Sequence, residues 1–440
     1  MNIKNKLIFT ICARNYYGLA KVLMRSIRHR HPEINFLMFI ADGIPNEESD
    51  EFGGDAIDAN IVMRNYISIE KLQEMAFKYN LTEYCTAIKP FCFRHVFDQT
   101  DVDDVVYLDP DIFVFGDLEP LFEPLNRASI VLTPHILFPS LYEGKRADKG
   151  LLATGVFNLG CLALKRGPTA SILLEWWAKR LLNQCFIDGH EALFTDQKWM
   201  DFVPTLFPNQ EVVCLRHPGM NVAPWNFHER EISIIGNDFW VGRRYSADSS
   251  LDLQGVDSHS APLVFVHFSG FDYKKFCEGQ VEQYNIDGLS LYLDLTPIIE
   301  TYMKSIQDQR STVIQFLKKP YTYGFFADGT VILSFYRRLY RAAIESGIVI
   351  GNPFSDEPGS FLRILRSRSL ILKMDGGGID KANKFNLSGI DSKLPLFNFL
   401  MRVLKRSIGL KNYLLLLRLM RPYSRIESQL HLIDNRHNKL

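Results

Sequence analysis

The chain has 440 residues, of which 47% are hydrophobic and 23% charged, with 50 basic and 50 acidic residues. These values are typical of a folded globular protein, and a chain this long favours two domains because single hydrophobic cores stop growing at about 250–300 residues. The formal net charge of zero gives no support to a nucleic-acid-binding protein, so we expect no nucleic acid partner.

The seven cysteines indicate reduced thiols rather than disulfides or a zinc site. They include no Cys-x-x-Cys pair, are odd in number and fall mostly within apolar runs. The apolar run near the N-terminus is too short for a signal peptide and predicts a first strand instead. Reduced thiols of this kind predict a cytoplasmic protein. No apolar stretch approaches the length that spans a bilayer.

The N-terminal region alternates between strand-like and helix-like patterns. Residues 6–12 and 35–41 are apolar runs that predict buried strands, and residues 16–30 carry apolar side chains at helical spacing. A strand, a helix and a second strand within so short a stretch predict a parallel βαβ unit. A further strand is predicted near residues 61–63, and helices are predicted at residues 69–79 and 82–97.

The next apolar run, at residues 105–115, contains two carboxylates. Burying an unpaired carboxylate costs several kcal/mol or more, so Asp109 and Asp111 must lie at the end of a strand and face a cation or solvent. Pro110 favours a break in the strand, and a turn there would let both carboxylates point at one ion. Oxygen ligands of this kind suit Mg²⁺ or Mn²⁺. The alternative is a simple surface turn, for which Asp-Pro-Asp is equally typical.

The position of this pair among the predicted strands favours the metal site. In parallel sheets, ligands collect at the carboxyl ends of the strands. The segments at residues 12–15, 42–43 and 109–111 all follow predicted strands, so they are expected at one edge of the sheet. Residues 129–134, 154–164, 211–215 and 262–268 predict further strands, and residues 168–182 predict a helix.

The chain is interpreted as an α/β domain at residues 1–285 and a mainly helical region at residues 286–440. The last part of the second region, residues 394–432, is rich in leucine and basic residues. This segment is typical of an interfacial helix on anionic lipid, which would place the protein peripherally on the inner membrane face. It is equally typical of a helix that docks on the main domain and exposes a basic face.

Other polar residues are candidates for a site, and each has an ordinary structural alternative. His267 follows an apolar strand and is either a core histidine or a third metal ligand. Asn158 lies between glycines in a predicted strand, which marks either a bulge or a close approach to a ligand. Asp196 and Gln197 open a helix, where Asp196 is either a cap or a site residue. Lys89 lies near a possible phosphate site or in a surface turn, and Trp225 lies in a sugar pocket or in the core.

Taken in order, these segments resemble the GT-A fold glycosyltransferases of glycosyltransferase family 8 over roughly residues 6–275. The run Tyr-Leu-Asp-Pro-Asp-Ile-Phe-Val-Phe is similar to the family's Asp-x-Asp motif, which implies that Asp109 and Asp111 hold Mn²⁺ (or Mg²⁺) and a nucleotide diphosphate. His267 in His-Phe-Ser-Gly matches the family's late His-x-x-Gly, whose histidine is the third metal ligand.

The resemblance also implies the residues that bind the substrate. Asn15 and Tyr16 occupy the loop that meets the nucleoside, Lys89 stands near the donor, and Asn158 matches the asparagine that contacts sugar. Asp196 and Gln197 match the Asp-Gln pair beside the donor sugar.

Two departures mark a divergent relative. Ala13-Arg14 stands where an aspartate for the base is common, and the family's Lys-Pro-Trp is replaced by Phe271-Asp272-Tyr273-Lys274. Lys274 is the residue expected to take over the contact to the diphosphate.

The activity implied is metal-dependent transfer of a sugar, with retention, from a nucleotide-diphosphate sugar to a glycan or a lipid-linked acceptor. A UDP-sugar is the expected donor, and a hexosyltransferase-like role in bacterial surface polysaccharide synthesis is the expected setting. Gln197 would stabilise the reacting sugar centre with its amide oxygen, while Asp196 would hold sugar hydroxyls.

Two other function classes stay open. A sugar nucleotidyltransferase would show a glycine-rich basic first loop, which residues 12–18 lack. A non-catalytic protein that binds nucleotide sugars would lack the metal ligands, and all three are present in this sequence.

Overall fold

The computed structural model describes residues 6–138, 148–244, 260–286, 288–372 and 390–434. The strands are β1 (Lys6–Cys12), β2 (Asn35–Ile40), β3 (Ala56–Asp58), β4 (Asp104–Leu108), β5 (Ile112–Val114), β6 (Ile130–Pro134), β7 (Phe157–Lys165), β8 (Ile187–Asp188), β9 (Leu193–Phe194), β10 (Val212–Cys214), β11 (Arg230–Ile235), β12 (Asp238–Arg243), β13 (Ala261–Pro262) and β14 (Phe265–His267). The helices are α1 (Tyr17–Arg30), α2 (Ala59–Met63), α3 (Ile69–Lys78), α4 (Leu81–Ala87), α5 (Lys89–Gln99), α6 (Glu119–Phe122), α7 (Asp148–Thr154), α8 (Pro168–Leu181), α9 (Val203–Leu206), α10 (Tyr273–Cys277), α11 (Thr296–Gln307), α12 (Arg310–Leu317), α13 (Ser334–Glu345), α14 (Phe361–Ser367) and α15 (Ile390–Tyr423).

Seven strands form a mixed, mostly parallel sheet in the order β10-β6-β7-β4-β1-β2-β3. The central strand β1 pairs in parallel with β2 and β4, whereas β7 runs antiparallel to β4 and β6. Strands β1 and β4 are buried along almost their whole length, as expected where helices cover both faces of a parallel sheet. The predicted α/β class with a mostly parallel sheet is therefore confirmed.

The order β4-β1-β2 places three carboxyl ends side by side. The loops that follow Cys12, Ile40 and Leu108 consequently leave the sheet at the same edge. One direct contact joins two of these loops, because the backbone N–H of Arg14 donates to Asp42 Oδ1 at 2.8 Å. The clustering of strand ends predicted from the sequence is present in the fold.

Two local predictions differ from the structure, and one structural element was not predicted. The strand predicted near residues 61–63 is wrong, because Asp58 accepts a hydrogen bond from Asn60 N and caps helix α2 there. The helix predicted at residues 82–97 is two helices, α4 and α5, and Pro90 lies in the first turn of α5, where a missing N–H costs nothing. The hairpin of β11 and β12, which turns at Gly236 with φ of 64°, was not predicted.

The chain divides into two compact units. The first unit comprises Met1–Ile67 and Leu81–Tyr321 and contains the seven-stranded sheet. The second unit comprises Ser68–Asn80 and Thr322–Leu440, so its helix α3 comes from a segment that interrupts the sequence of the first unit. The functional boundary that we place at residue 285 stays a prediction.

The second unit has its own core and its own buried cation. Phe77 on α3 packs edge-to-face against Tyr340 of α13 and Phe361 of α14. Arg337 is buried and donates to the carbonyl oxygens of Phe77, at 2.6 Å, and of Ala76 and Tyr79. These bonds satisfy the last carbonyls of α3, which have no partner within the helix.

Helix α15 follows within the second unit. Gly409 interrupts it with φ of 77° and divides it into two segments. Among the described residues, no helix is both long enough and apolar enough to cross a membrane.

Candidate active site

The turn between β4 and β5 carries the two predicted carboxylates. Ile112 N donates to the carbonyl oxygen of Asp109 at 3.1 Å, which closes the turn around Pro110. Asp109 N donates to the carbonyl oxygen of Gly160 at 2.8 Å, which fixes the turn to strand β7. The segment does form the turn that its sequence is typical of, and this turn brings the carboxylates of Asp109 and Asp111 to one side.

His267 completes a group of three potential metal ligands. It lies at the end of β14, directly opposite Ile112 in the pairing of β14 with β5. Its Nε2 lies 3.0 Å from Asp111 Oδ1 and 3.6 Å from Asp109 Oδ2. The ligand atoms of the three residues lie within 4.8 Å of one another. Two carboxylates and one imidazole form a donor set that fits a divalent metal ion.

Neighbouring side chains hold the outer atoms of all three ligands. Tyr107 donates its hydroxyl hydrogen to Asp109 Oδ1, and Tyr273 donates to Asp111 Oδ2 at 3.1 Å. The Nδ1 atom of His267 lies 3.3 Å from Asn158 Oδ1, an arrangement in which Nδ1 donates. The remaining carboxylate oxygens and Nε2 are thus left to face one another, as partners of metal ligands usually arrange them.

The three ligands are electrostatically linked. Burial raises the pKa of the Asp109 carboxyl. Burial also opposes ionisation of Asp111, but the positive charge of His267 and the hydrogen bonds from His267 and Tyr273 outweigh it, so the pKa of Asp111 is lowered. Burial opposes protonation of His267 too, yet Asp111 and Asp109 together raise its pKa. Negative charge concentrated in this buried place stabilises a cation.

Strand β7 passes directly beside His267. A Cβ atom on Gly160 would lie 2.5 Å from His267 Cε1 and 2.7 Å from His267 Nδ1, closer than real side chains approach. Glycine at this position therefore lets the imidazole lie against the strand. The close approach that we predicted near Asn158 is therefore between strand β7 and the side chain of His267.

Asn158 links His267 to the predicted catalytic pair. Its Nδ2 lies 3.4 Å from Gln197 Oε1, and the same oxygen accepts from Leu159 N at 3.2 Å. The Nε2 atom of Gln197 donates to the carbonyl oxygen of Thr154 at 2.9 Å. Gln197 is thus held at both ends, and its amide orientation is fixed by three neighbours.

Lys89 and Asp196 form a buried ion pair. Their Nζ and Oδ2 atoms lie 2.6 Å apart, and the two side chains are 1% and 2% exposed. Lys89 also donates to the carbonyl oxygen of Leu159 at 2.8 Å and lies 4.1 Å from the centre of the Tyr107 ring. The cation that we expected near a phosphate is therefore engaged by Asp196 in this structure.

A cleft of about 820 Å³ brings most of the predicted residues together. Lys274 differs, because it is exposed on α10 and is not among the residues that line the cleft. Trp225 lies in the cleft wall, with its ring edge-to-face to His267 at 5.1 Å between centroids. The predicted residues that line the cleft are Asn15, Tyr16, Lys89, Asp109, Asp111, Asn158, Asp196, Gln197, Trp225 and His267.

The first loop supplies a further polar atom to the cleft. The Oδ1 atom of Asn15 is buried and has no hydrogen-bond partner within the described part of the chain. Tyr16 packs edge-to-face against Tyr273 at 5.8 Å, so the loop abuts the residue that holds Asp111. Burial raises the pKa of Tyr16 to about 12. Asn15 is thus an acceptor available to a ligand, and Tyr16 stays protonated.

Two tyrosines that hold the carboxylates, Tyr107 and Tyr273, were not predicted, and only one of them has a signal in the sequence. Tyr107 precedes Asp109 by two residues, so strand alternation places both on one side and offered a usable signal. Tyr273 is 162 residues away from Asp111, and no local pattern marks it.

Comparison with known proteins shows a family resemblance in the N-terminal part of the chain. Residues 7–163 match the family model described as glycosyl transferase family 8. This match covers the N-terminal part of the chain, which is therefore similar to glycosyltransferase family 8. The GT-A fold expected from that resemblance is confirmed, and glycosyl transfer is the class of reaction that this family match supports.

The individual proteins that match this chain share a limited part of its sequence. The chain is 31% identical over 215 residues to the uncharacterised protein YfnF of Bacillus subtilis (strain 168), across 48% of this chain and 64% of that protein. A crystal structure of the galactosyltransferase LgtC with donor and acceptor sugar analogues covers 70% of this chain and 99% of its own, at 16% identity and a TM-score of 0.38. The glycosyltransferase GlyE of Streptococcus pneumoniae TIGR4 covers 48% and 45%, at 21% identity and a TM-score of 0.29.

Proposed function

We propose that this chain is a metal-dependent glycosyltransferase that moves a sugar from a nucleotide-diphosphate sugar to a glycan or a lipid-linked acceptor, with retention of configuration. A UDP-sugar is the proposed donor and Mn²⁺, or Mg²⁺, the proposed metal. The observation that carries the proposal is the convergence of Asp109, Asp111 and His267 with Asn158 and Gln197 in one cleft.

The proposed reaction separates a nucleoside diphosphate from the sugar. The bond between the anomeric carbon and the phosphate oxygen breaks, and its electron pair leaves with the diphosphate. Asp109, Asp111 and His267 would hold the divalent ion, which would supply Lewis-acid stabilisation of that leaving charge. Asn158 holds the His267 ring in orientation. The fixed Oε1 atom of Gln197 is the negative end of the amide dipole, which would stabilise positive charge on the sugar.

The carboxylates of the cleft support retention. An inverting transfer with a carboxylate as its base has few candidates, because the only carboxylates among the described cleft residues are Asp109, Asp111 and Asp196. The first two belong to the metal group, and Asp196 pairs with Lys89. In a retaining transfer the acceptor hydroxyl attacks from the side of the leaving group. Its proton then passes to the departing phosphate oxygen while the new bond to the anomeric carbon forms.

A panel of nucleotide sugars tests the proposal. We expect release of the nucleoside diphosphate from one donor in the presence of Mn²⁺, and loss of this activity with EDTA. Asp111→Asn should lower the rate at least 100-fold with an unchanged melting temperature, because it removes one anionic metal ligand. Asp101→Asn, which changes an exposed carboxylate outside the cleft, is the matched control.

The result can also contradict the proposal. Full activity in EDTA would remove the metal from the mechanism, and an inverted anomeric product seen by NMR would remove retention. Calorimetry with UDP and Mn²⁺ separates the other classes. Absence of any nucleotide binding would favour a scaffold, and release of pyrophosphate from a nucleoside triphosphate and a sugar phosphate would favour a nucleotidyltransferase.

A further inference from the structure

Helix α15 exposes an unusual amount of apolar surface. Among its large hydrophobic residues, those before Gly409 that are more than a third exposed are Leu394, Leu396, Phe397, Phe399, Leu400 and Val403. Those after Gly409 are Leu410, Leu414, Leu415, Leu417, Leu419, Met420 and Tyr423. Soluble surfaces rarely carry so much contiguous apolar area, and such patches mark sites of interaction.

The charges of the same helix have a single sign. From Lys393 to Tyr423 there are seven basic side chains and no acidic residue. All seven are exposed, and none has an ion-pair partner within the described part of the chain. The seven basic residues are Lys393, Arg402, Lys405, Arg406, Lys411, Arg418 and Arg421.

Most basic residues of each segment of α15 lie on one side of the helix, whereas Lys393, nine residues before Arg402, lies on the opposite side. Arg402, Lys405 and Arg406 follow the spacing of three and four residues that brings side chains to one side of a helix. After the break, Lys411 and Arg418 are seven residues apart and lie on one side in the same way. The left-handed φ of Gly409 separates two short amphipathic helices rather than continuing one helix.

From these observations we infer that α15 binds the surface of an anionic membrane as two consecutive interfacial helices. The apolar sides enter the boundary between headgroups and acyl chains, while the basic sides contact anionic headgroups. The charge of the helix selects this partner over a second copy of the chain, because two copies would bring like charges together. This inference does not depend on the proposed reaction.

Vesicle flotation with the full-length protein tests the inference. We expect the protein to float with vesicles of phosphatidylcholine and phosphatidylglycerol, to remain behind with pure phosphatidylcholine, and to be released as salt rises. The triple variant Arg402→Gln, Lys405→Gln, Arg406→Gln should bind anionic vesicles roughly 100-fold more weakly, as expected for three cationic groups near an anionic surface.

Two further variants make the test specific. The control triple variant Arg25→Gln, Arg30→Gln, Lys179→Gln removes the same charge from exposed sites in the first unit and should float like the unmodified chain. Phe397→Gln with Leu400→Gln removes exposed apolar contacts and should weaken flotation without changing the net charge.

Three outcomes would overturn the inference. These are equal flotation with neutral and anionic vesicles, equal losses in the two triple variants, and a stable dimer in vesicle-free solution that Phe397→Gln with Leu400→Gln converts to a monomer. Flotation needs neither donor nor metal, so its result is independent of the transferase assays.

Discussion

The residues around the three proposed metal ligands determine how those side chains are oriented. Tyr107, Tyr273 and Asn158 each occupy an outer atom of one ligand and leave the inner atom toward the centre of the group. Such partners fix orientation, and their loss typically costs 10–100-fold in metal affinity. We therefore assign Tyr273 a positioning role at the proposed metal site.

The variant Tyr273→Phe should weaken Mn²⁺ binding about 10-fold or more, because Asp111 loses the hydroxyl that holds its outer oxygen. Titration followed by the Mn²⁺ electron paramagnetic resonance signal measures this without substrate. Tyr284→Phe is the control, since Tyr284 also lines the cleft but donates to Asp272. Equal Mn²⁺ affinity in Tyr273→Phe and the unmodified chain would contradict the assignment.

The buried His228 should make the free energy of unfolding depend on pH. Burial, together with Arg230 and Arg244, lowers the pKa of His228 to about 4. In the unfolded chain its pKa is about 6.5, so between these values the unfolded state binds more protons. The contribution of His228 to the free energy of unfolding therefore falls as pH drops from 6.5 toward 4, by about 3 kcal/mol.

His228→Gln should remove this part of the acid sensitivity. Urea unfolding at pH 7, 5.5 and 4.5 measures the slope in the variant and in the unmodified chain, with the exposed His190→Gln as the control. An unchanged difference between pH 7 and 4.5 in His228→Gln would show that His228 is not the group responsible.

Residues that follow a pattern along the chain were predictable, and residues that meet through tertiary contacts were not. Asp109 and Asp111 end an apolar run, so the cost of burying charge placed them at a strand end. The bond from Tyr273 to Asp111 depends on how β14 and α10 are placed against the turn, which local sequence does not record. Lys274, which we predicted to contact the diphosphate, lies exposed on α10, whereas its neighbour Tyr273 contacts Asp111.

At the scale of elements, strand β7 organises the candidate site. It supplies Asn158 to His267, the carbonyl oxygen of Gly160 to Asp109 N, and the carbonyl oxygen of Leu159 to Lys89. A single strand thus contacts both the proposed metal ligands and the buried ion pair. Its apolar sequence predicted a strand, but its role depends on the antiparallel pairing with β4.

Gly160→Ala tests how closely β7 must approach His267. The added methyl group would lie within 2.7 Å of two ring atoms, so the imidazole must move. We expect a loss of about 1–3 kcal/mol in the free energy of unfolding and a further loss of Mn²⁺ affinity. Gly242→Ala is the control, since its nearest neighbour would be 3.8 Å away. Unchanged Mn²⁺ affinity in Gly160→Ala would show that the ring tolerates the shift.

Element boundaries were predicted best where apolar periodicity is strong. Strand β1 and helix α8 lie almost where the pattern placed them. A strand was predicted in place of α2 because a run of three apolar residues is compatible with either a strand or a helix. The hydrogen bond from Asn60 N to the Asp58 side chain favours the helix. The missed hairpin β11–β12 carries Gly236-Asn237 between alternating segments, a signal that the sequence did contain.

At the scale of the whole molecule, two compact units predict two unfolding steps. Arg337 lies entirely within the second unit and donates to three carbonyl oxygens of its first segment. Removing this donor leaves buried carbonyls without partners, which costs several kcal/mol. Substitutions in one unit should consequently change the unfolding temperature of that unit and leave the other unchanged.

Calorimetric scans test this. Arg337→Met should lower one transition by several degrees, while UDP with Mn²⁺ should raise the other, because ligands stabilise the unit that binds them. Arg363→Met changes an exposed arginine of the second unit and should leave both transitions in place. A single transition that shifts with both treatments would show that the units unfold together.

The interleaving of the second unit has a consequence during synthesis. Helix α3 leaves the ribosome early, but its partners begin at Thr322. At about 5–20 residues per second, Phe77 and its apolar neighbours wait for on the order of tens of seconds before α13 exists. Nascent chains paused before Thr322 should therefore bind chaperones at α3. For the same reason, a fragment that stops at Tyr321 should be soluble only when Ser68–Asn80 is replaced by a short polar linker.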